Sequence, residues 1–245
     1  MICQSKTAVL ESKKNNYSEV GRKIIFYAVI VVVSCFILFP IFWMIMTSIK
    51  PPTKIFTYPP IFFSFTPQLS NFSKAWTEMG LSRLFFNTMK VSLSTAFLTI
   101  AISSPAAYSL ARLRYPGRET LAHIILLSYM FPGVLVLIPI FLIIARLHLV
   151  DTHLALVIGC TTFSIPFCTW LLRAYFVTLP PDLEDAARVD GCSHFGALVR
   201  VVLPLSAPGI AAAAAFAFMS AWGDYLFALT FISSEMKKTL PPALS

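Results

Sequence analysis

Five separate runs of continuously apolar residues, each close to the length of a bilayer crossing, constrain this chain more than any other feature. They cover residues 24–46, 86–110, 121–145, 154–176 and 208–232. A helical crossing needs ~20 residues, because ~30 Å of hydrocarbon is traversed at about 1.5 Å per residue. The runs are continuously apolar rather than alternating, which selects helices over barrel strands. Charged residues are only 12% of the 245, against roughly a quarter in a soluble domain, and the mean hydropathy is +0.77. So much apolar surface cannot be buried in one soluble core. The expected fold class is all-α, a polytopic membrane helical bundle.

The organisation follows from what lies between the runs. Residues 1–22 form a polar N-terminal tail with no small-residue cleavage site behind a short apolar core, so the first run reads as a retained helix rather than a signal peptide. Residues 23–245 then form one transmembrane domain. With the N-terminus inside, the inner segments carry eleven of the nineteen Lys and Arg and the outer ones eight. The dense stretches, in the tail and around Arg112, Arg114 and Arg118, set the orientation. The formal charge of +8 sits at the ends of apolar runs, without the interleaved aromatics of a nucleic-acid surface, so no nucleic-acid partner is expected. Cys3, Cys35, Cys160, Cys168 and Cys192 form no CxxC pair, and the four histidines are scattered, so no metal is expected.

Two connections are long. The outer one, about residues 48–85, holds Pro51, Pro52, Pro59, Pro60 and Pro67 among aromatics and reads as an extended, surface-hugging excursion. The inner one, about residues 177–207, reads as a structured knob. Pro180 and Pro181 stop the preceding helix, and Asp182 can cap a short one over about residues 183–190. Gly191 suits a left-handed stop. Ser193 can cap a second helix through about Val202, ended by Pro204.

Within that knob, Asp185-Ala186-Ala187, then Arg188-Val189-Asp190, then Gly191, then nine residues, then Val201-Val202-Leu203-Pro204 resembles the EAA loop of ABC importer permeases. The family pattern is E-A-A, three residues, G, nine residues, I-x-L-P. Asp185 stands for the glutamate and Val201 for the isoleucine. The resemblance covers nearly the whole chain and points to the MalG-like carbohydrate branch. Its other carriers are Ser48-Ile49-Lys50-Pro51, Asn87-Thr88, Ala106-Ala107-Tyr108, Tyr115-Pro116-Gly117-Arg118, Phe131-Pro132, Ile138-Pro139 and Trp222-Gly223-Asp224-Tyr225. The branch commonly has Asn where Gly223 stands. It also continues into a sixth span after a segment resembling Thr239-Leu240-Pro241, which the residues up to Ser245 do not include.

The resemblance implies the permease fold of type I ABC importers, in a bacterial inner or plasma membrane with the N-terminus cytoplasmic. It implies that Asp185, Ala186, Ala187, Arg188, Asp190, Gly191, Val201, Leu203 and Pro204 form a coupling element docking on a separate ATPase. The partners it implies are a second permease subunit, two ATPase subunits, an external solute-binding protein, a sugar substrate and membrane lipid. Mg-ATP would be bound by the ATPase, and this chain would hold no cofactor. Closure of the ATPases would rock the spans between inward- and outward-open states.

The residues themselves add candidates. Asp224 is an acid inside the fifth run, where such a group usually faces a bundle interior or a water-filled path or lies near the interface. With Trp222 and Tyr225 it marks a candidate translocation pathway. Pro105, Pro132, Pro139 and Pro166 would each release a backbone carbonyl and allow a kink. No GxxxxGK[ST] phosphate loop, Ser/His/Asp set or HExxH is present, so no catalytic residue is expected. Two rivals stand beside the sugar permease. One is an EAA-loop permease for polyamine or phosphate. The other is a membrane-embedded enzyme holding Mg²⁺ on Asp182, Glu184, Asp185 and Asp190.

Overall fold

The computed structural model describes residues 2–59, 61–62, 67–78 and 80–244, with side chains from residue 21 onward. Pro60 of the outer excursion lies outside the described residues. The elements are helical throughout, with no strand among the described residues. The backbone falls into two compact units, Met1–Trp76 and Thr77–Ser245.

The first unit is built on α1, Ile2–Ser48. Within its stretch Gly21–Ser48 an 18-residue window has a mean hydropathy of 2.9, and apolar side chains are exposed on every face, which only a lipid solvent tolerates. Among the described residues the chain after it turns back on itself, since Asn71 of α2, Ser70–Thr77, returns to the end of α1. The Asn71 amide donates to the carbonyls of Ser48 at 3.0 Å and Lys50 at 2.9 Å, satisfying groups that the helix end leaves open. The Lys50 ammonium sits 4.4 Å over the Trp43 ring, a cation–π contact.

In the second unit, α3 (Leu81–Arg112) and α6 (His153–Thr178) are the two long crossings. They run parallel: Arg112 donates to the Leu179 carbonyl at 2.9 Å at one end, while Asn87 and His153 meet the same 236–238 segment at the other. The chain must therefore cross back between them. That return is made by α4 (Arg118–Tyr129) and α5 (Gly133–Arg146), which meet at 97°. The run expected as one span over 121–145 is thus two helices, each only about 18–21 Å long at 1.5 Å per residue. The break falls at Pro132, which has no N–H to continue the ladder and drives the residue before it out of the helical region. Pro105, Pro139 and Pro166 lie inside continuous helices.

The fifth run also divides. Beyond the knob, α9 (Ala207–Trp222) leaves the helix ending at Leu205 at 85° and stops at Gly223, short of the expected end at residue 232. A separate short helix, Leu226–Phe231, follows. On α9, Gly209, Ala213, Ala217 and Ala221 are buried at a strict four-residue spacing, the small-residue stripe that lets membrane helices approach closely. The approach is tightest at Gly209, where an added Cβ would stand 2.7 Å from Tyr175 Cγ of α6. Across from it, α3 buries Thr88, Ser92, Thr95, Thr99 and Ser103 along one face, again small side chains at helical repeats. Two apolar clusters fill the rest. One centres on Phe176, Leu172, Leu198 and Val202 near the Arg112 end, the other on Leu156, Ile144, Phe227 and Phe231 near the opposite end.

The far end is tied by Asp151, between α5 and α6. Its carboxylate accepts the Ser233 and Ser234 amides at 3.0 and 2.9 Å and the Ser234 hydroxyl, and it pairs with Lys237 at 3.0 Å. The last segment is pinned to α3 through Asn87, which donates to the carbonyls of Met236 and Lys238. Thr88 accepts the amide of Leu240, the first residue of a short terminal helix, Leu240–Ala243.

Candidate functional site

Pro180 and Pro181 end α6 as expected, and α7 then runs Asp182–Val189. Pro181 occupies the cap position and no side chain caps it; Asp182, expected as the cap, is instead the first helical residue. Asp182, Glu184 and Asp185 crowd the first turn and Arg188 the last, the arrangement that favours the helix dipole. The exit is a Schellman turn. Gly191 stands at φ +88°, its amide donates to the Arg188 carbonyl at 3.1 Å and the Cys192 amide to the Ala187 carbonyl at 3.0 Å. Ser193 caps the next helix, α8 (His194–Leu205), by accepting the Gly196 amide at 3.1 Å.

Pro204 does not stop α8, contrary to expectation, since the helix continues to Leu205. The reason lies upstream. Residues Leu198–Val202 widen into a π turn, which accommodates a proline that cannot donate to its own preceding turn. The bend comes at Ser206, immediately before α9.

Burial sorts the motif into two halves. Asp185, Ala186, Arg188, Asp190 and Gly191 are exposed, and Ala187 is half-buried. Val201 and Leu203 are half-buried, Leu203 against the core cluster that holds Val202, whereas Pro204 is exposed. The first half is thus a free surface and the second a root. Apolar side chains flank the free half: Val189 is 88% exposed and Phe195 69%. Phe195 did not enter the sequence reading, and Val189 entered it only as a spacer residue of the motif.

The inward face of α7 is Glu184, 7% exposed. It accepts a hydrogen bond from the Tyr108 hydroxyl, and its other oxygen lies 3.3 Å from Arg112 Nε. Beside this pair a polar cleft of about 490 Å³ is lined by Arg114, Asp185, Arg188 and His194. The four acids weighed as a metal cluster therefore diverge, with Glu184 turned in while Asp182, Asp185 and Asp190 are exposed. No group of three His, Cys, Asp or Glu among the described residues is placed to hold a metal ion.

The second candidate region is the break after α9. Asp224 accepts the amides of Phe227 at 3.4 Å and Ala228 at 2.9 Å, capping the following short helix, and so its carboxylate has a local structural task. The same residue lines a cavity of about 420 Å³ with Tyr225, Gly133, Cys160 and Phe163. Trp222 points elsewhere: it stacks on Phe218 at 5.5 Å and meets Phe85 edge-on at 5.5 Å. The three fifth-run candidates are therefore adjacent in sequence, but the structure brings only Asp224 and Tyr225 to one cavity.

Comparison with known proteins places these features. Residues 100–245 match the family described as binding-protein-dependent transport system inner membrane component. The chain is 40% identical over 204 residues to the sulfoquinovosyl glycerol transport system permease protein SmoH of Agrobacterium fabrum, covering 83% of this chain and 72% of that one. It is 32% identical over 226 residues to the trehalose transport system permease protein SugB of Mycobacterium tuberculosis, covering 92% and 82%. Its fold is similar to a chain of a bacterial ABC transporter involved in the import of the acidic polysaccharide alginate. There the TM-score is 0.78 at 24% identity, over 90% of this chain and 76% of that one.

Proposed function

Because the chain belongs to the family of binding-protein-dependent transport system inner membrane components, a family of multi-pass membrane permeases, we propose that it is a membrane-spanning subunit of an ATP-driven importer for a sugar. The observation that carries this reading is the EAA-type spacing from Asp185 to Pro204, folded as an exposed two-helix knob between two membrane crossings. Sugar and sugar-conjugate permeases among its relatives favour a carbohydrate over polyamine or phosphate.

In this reading the outward side of α7 and the exposed Val189 and Phe195 dock on a separate ATPase, which binds Mg-ATP and performs the hydrolysis. A second permease completes the pathway, a second ATPase completes the motor, and an external binding protein delivers the solute. The N-terminus and the knob are cytoplasmic, since the Arg112–Arg118 loop and the tail carry the dense positive charge. Asp224 and Tyr225 line the path of the sugar, with the carboxylate able to accept sugar hydroxyls and the ring to stack on a pyranose face. Trp222 supports that stretch through Phe85 and Phe218.

The test is purification of the tagged chain from its native membrane in mild detergent. Recovery in stoichiometric amounts of an ATPase, a second permease with an EAA loop and a sugar-binding protein is expected. A chain that a mild extraction consistently yields alone would overturn the reading.

A further inference from the structure

Glu184 is the one buried residue of α7. Every other residue of that helix is exposed or half-buried, and the Glu184 carboxylate is the group that ties α7 to α3. Its two oxygens are divided between two side chains of α3, one turn apart. Tyr108, itself buried, donates its hydroxyl to Oε1, and Arg112 faces Oε2 at 3.3 Å. Arg112 in turn donates to the Leu179 carbonyl at 2.9 Å, and the Tyr108 oxygen lies 3.5 Å from His194 Nδ1 at the start of α8. One compact polar cluster therefore ties four elements together: the end of α3, the end of α6, α7 and α8.

The other root of the knob is different in kind. Leu198 and Val202 of α8 pack against Phe176 and Leu172 of α6, an apolar contact without direction that tolerates sliding. The Glu184 cluster is directional and sparse. A carboxylate held by one hydroxyl and one guanidinium, both largely buried at the edge of the polar cleft, keeps its geometry, because separation would leave a mostly buried charge without its partner.

Resting on the permease reading above, we propose that Glu184 is a positioning residue that carries displacement of α7 into α3. When a partner moves the exposed side of α7, the cluster obliges the Arg112 end of α3 to follow, and α3 is one of the two long crossings. Without Glu184 the knob pivots on its apolar root and α3 stays behind. ATP hydrolysis then proceeds without moving the span. Neither the EAA spacing nor the exposed docking residues include this acid; the role belongs to the inner face of the same helix.

The experiment uses the complete complex with its ATPase in lipid nanodiscs. Spin labels are placed at Arg114→Cys, just beyond α3, and at Asp182→Cys, at the start of α7, with Cys3, Cys35 and Cys192 replaced by Ser. The distance between them is measured nucleotide-free and after trapping with ATP and vanadate. In the unmodified cluster the distance is expected to be the same in both states, since the elements move as one body. In E184Q and in the milder Y108F it is expected to change on trapping, while ATP hydrolysis persists. The reciprocal pair E184R/R112E is expected to restore the fixed distance, which a loss of folding alone would not do. A distance that stays fixed in both E184Q and Y108F overturns the proposal. If E184Q does not assemble, the Y108F arm decides by the same criterion. Failure of the tagged chain to assemble with any ATPase, so that no such complex can be prepared, would instead bring down the permease reading itself.

Discussion

The amide of Cys192 donates to the carbonyl of Ala187 at 3.0 Å, and the turn this bond closes depends on Gly191 holding φ at +88°. A side chain at that angle costs about 1 kcal/mol, so the turn is specified by one residue. The consequence is that the two halves of the knob keep a fixed angle: α7 ends, reverses and hands the chain to α8 within four residues.

Gly191→Pro removes both the angle and the amide that donates to Arg188. It should therefore abolish recovery of the ATPase with the tagged chain while leaving the membrane level of the chain near normal, because no transmembrane contact is touched. Ala187→Arg should do the same by placing a long cation on a half-buried, close-packing surface. Co-purification measured against membrane abundance separates this outcome from a folding failure. Normal recovery of the ATPase in both variants would remove the coupling role from this turn.

A different glycine reports on the bundle. The Cβ that Ala would add at Gly209 meets the root of the Tyr175 ring at 2.7 Å, and a ring root cannot swing aside without moving α6. Gly209→Ala should lower stability by about 1–3 kcal/mol, as overpacking does. Gly133→Ala is the matched control, since its added Cβ would meet the Phe163 ring at an ordinary 3.6 Å. Thermal unfolding in detergent should show a clear drop in midpoint for the first and little change for the second. Equal behaviour of the two would mean that α9 and α6 are not packed this closely.

Much of this architecture can be read from the sequence because the signals are local. Apolar runs announce the crossings, and Pro180, Pro181, Gly191 and Ser193 mark the stops and starts of the knob within a residue or two. What was illegible depends on distance along the chain. Glu184 looks like one acid among four until Tyr108, 76 residues away, comes to meet it. The break at Gly223–Tyr225 was hidden because the residues on either side are equally apolar, and only the capping by Asp224 reveals that a new helix begins. Pro132 was legible as an interruption, but not the angle of 97° between α4 and α5. The parallel course of α3 and α6 rests on contacts between chain segments far apart in sequence, beyond the reach of local pattern.

At the other end of the bundle, pH has a definite sign. The Ser234 hydroxyl, then the Ser234 amide, then the Lys237 ammonium hold the Asp151 carboxyl well below the ordinary carboxylate range. A group whose folded pKa is depressed contributes stability that is present above its unfolded value of about 3.9 and is lost as pH falls through the folded one. Asp151→Asn should therefore unfold earlier than the parent at pH 7, with the gap closing progressively as pH is lowered below about 4. Asn also tolerates the backbone at φ +60°, so the comparison isolates the charge. Thermal scans of both chains in the same detergent from pH 7 downward check this; a gap independent of pH would show that the carboxylate charge is not what ties the loop to Ser234.

Asp224 serves two tasks that substitution can pull apart. As a cap it needs an acceptor for the Phe227 and Ala228 amides, which Asn supplies and Ala does not. As a lining group of the 420 Å³ cavity, in the proposed pathway, it needs a carboxylate to accept from sugar hydroxyls. Asn and Asp are about equal as helix caps, whereas a hydrogen bond from a sugar hydroxyl to a charged acceptor is worth about 1.5–3 kcal/mol, against about 0.5–1.5 for a neutral one. Asp224→Asn should then keep the unfolding midpoint close to the parent while slowing uptake of the sugar that the co-purified binding protein retains. Asp224→Ala should lose about 1 kcal/mol of stability as well, the usual cost of removing a cap. The decisive comparison is uptake at equal amounts of assembled complex. If Asp224→Asn transports at the parental rate, the carboxylate is a cap alone and the sugar passes without it; if uptake falls while the midpoint holds, the charge acts on the solute and not on the fold.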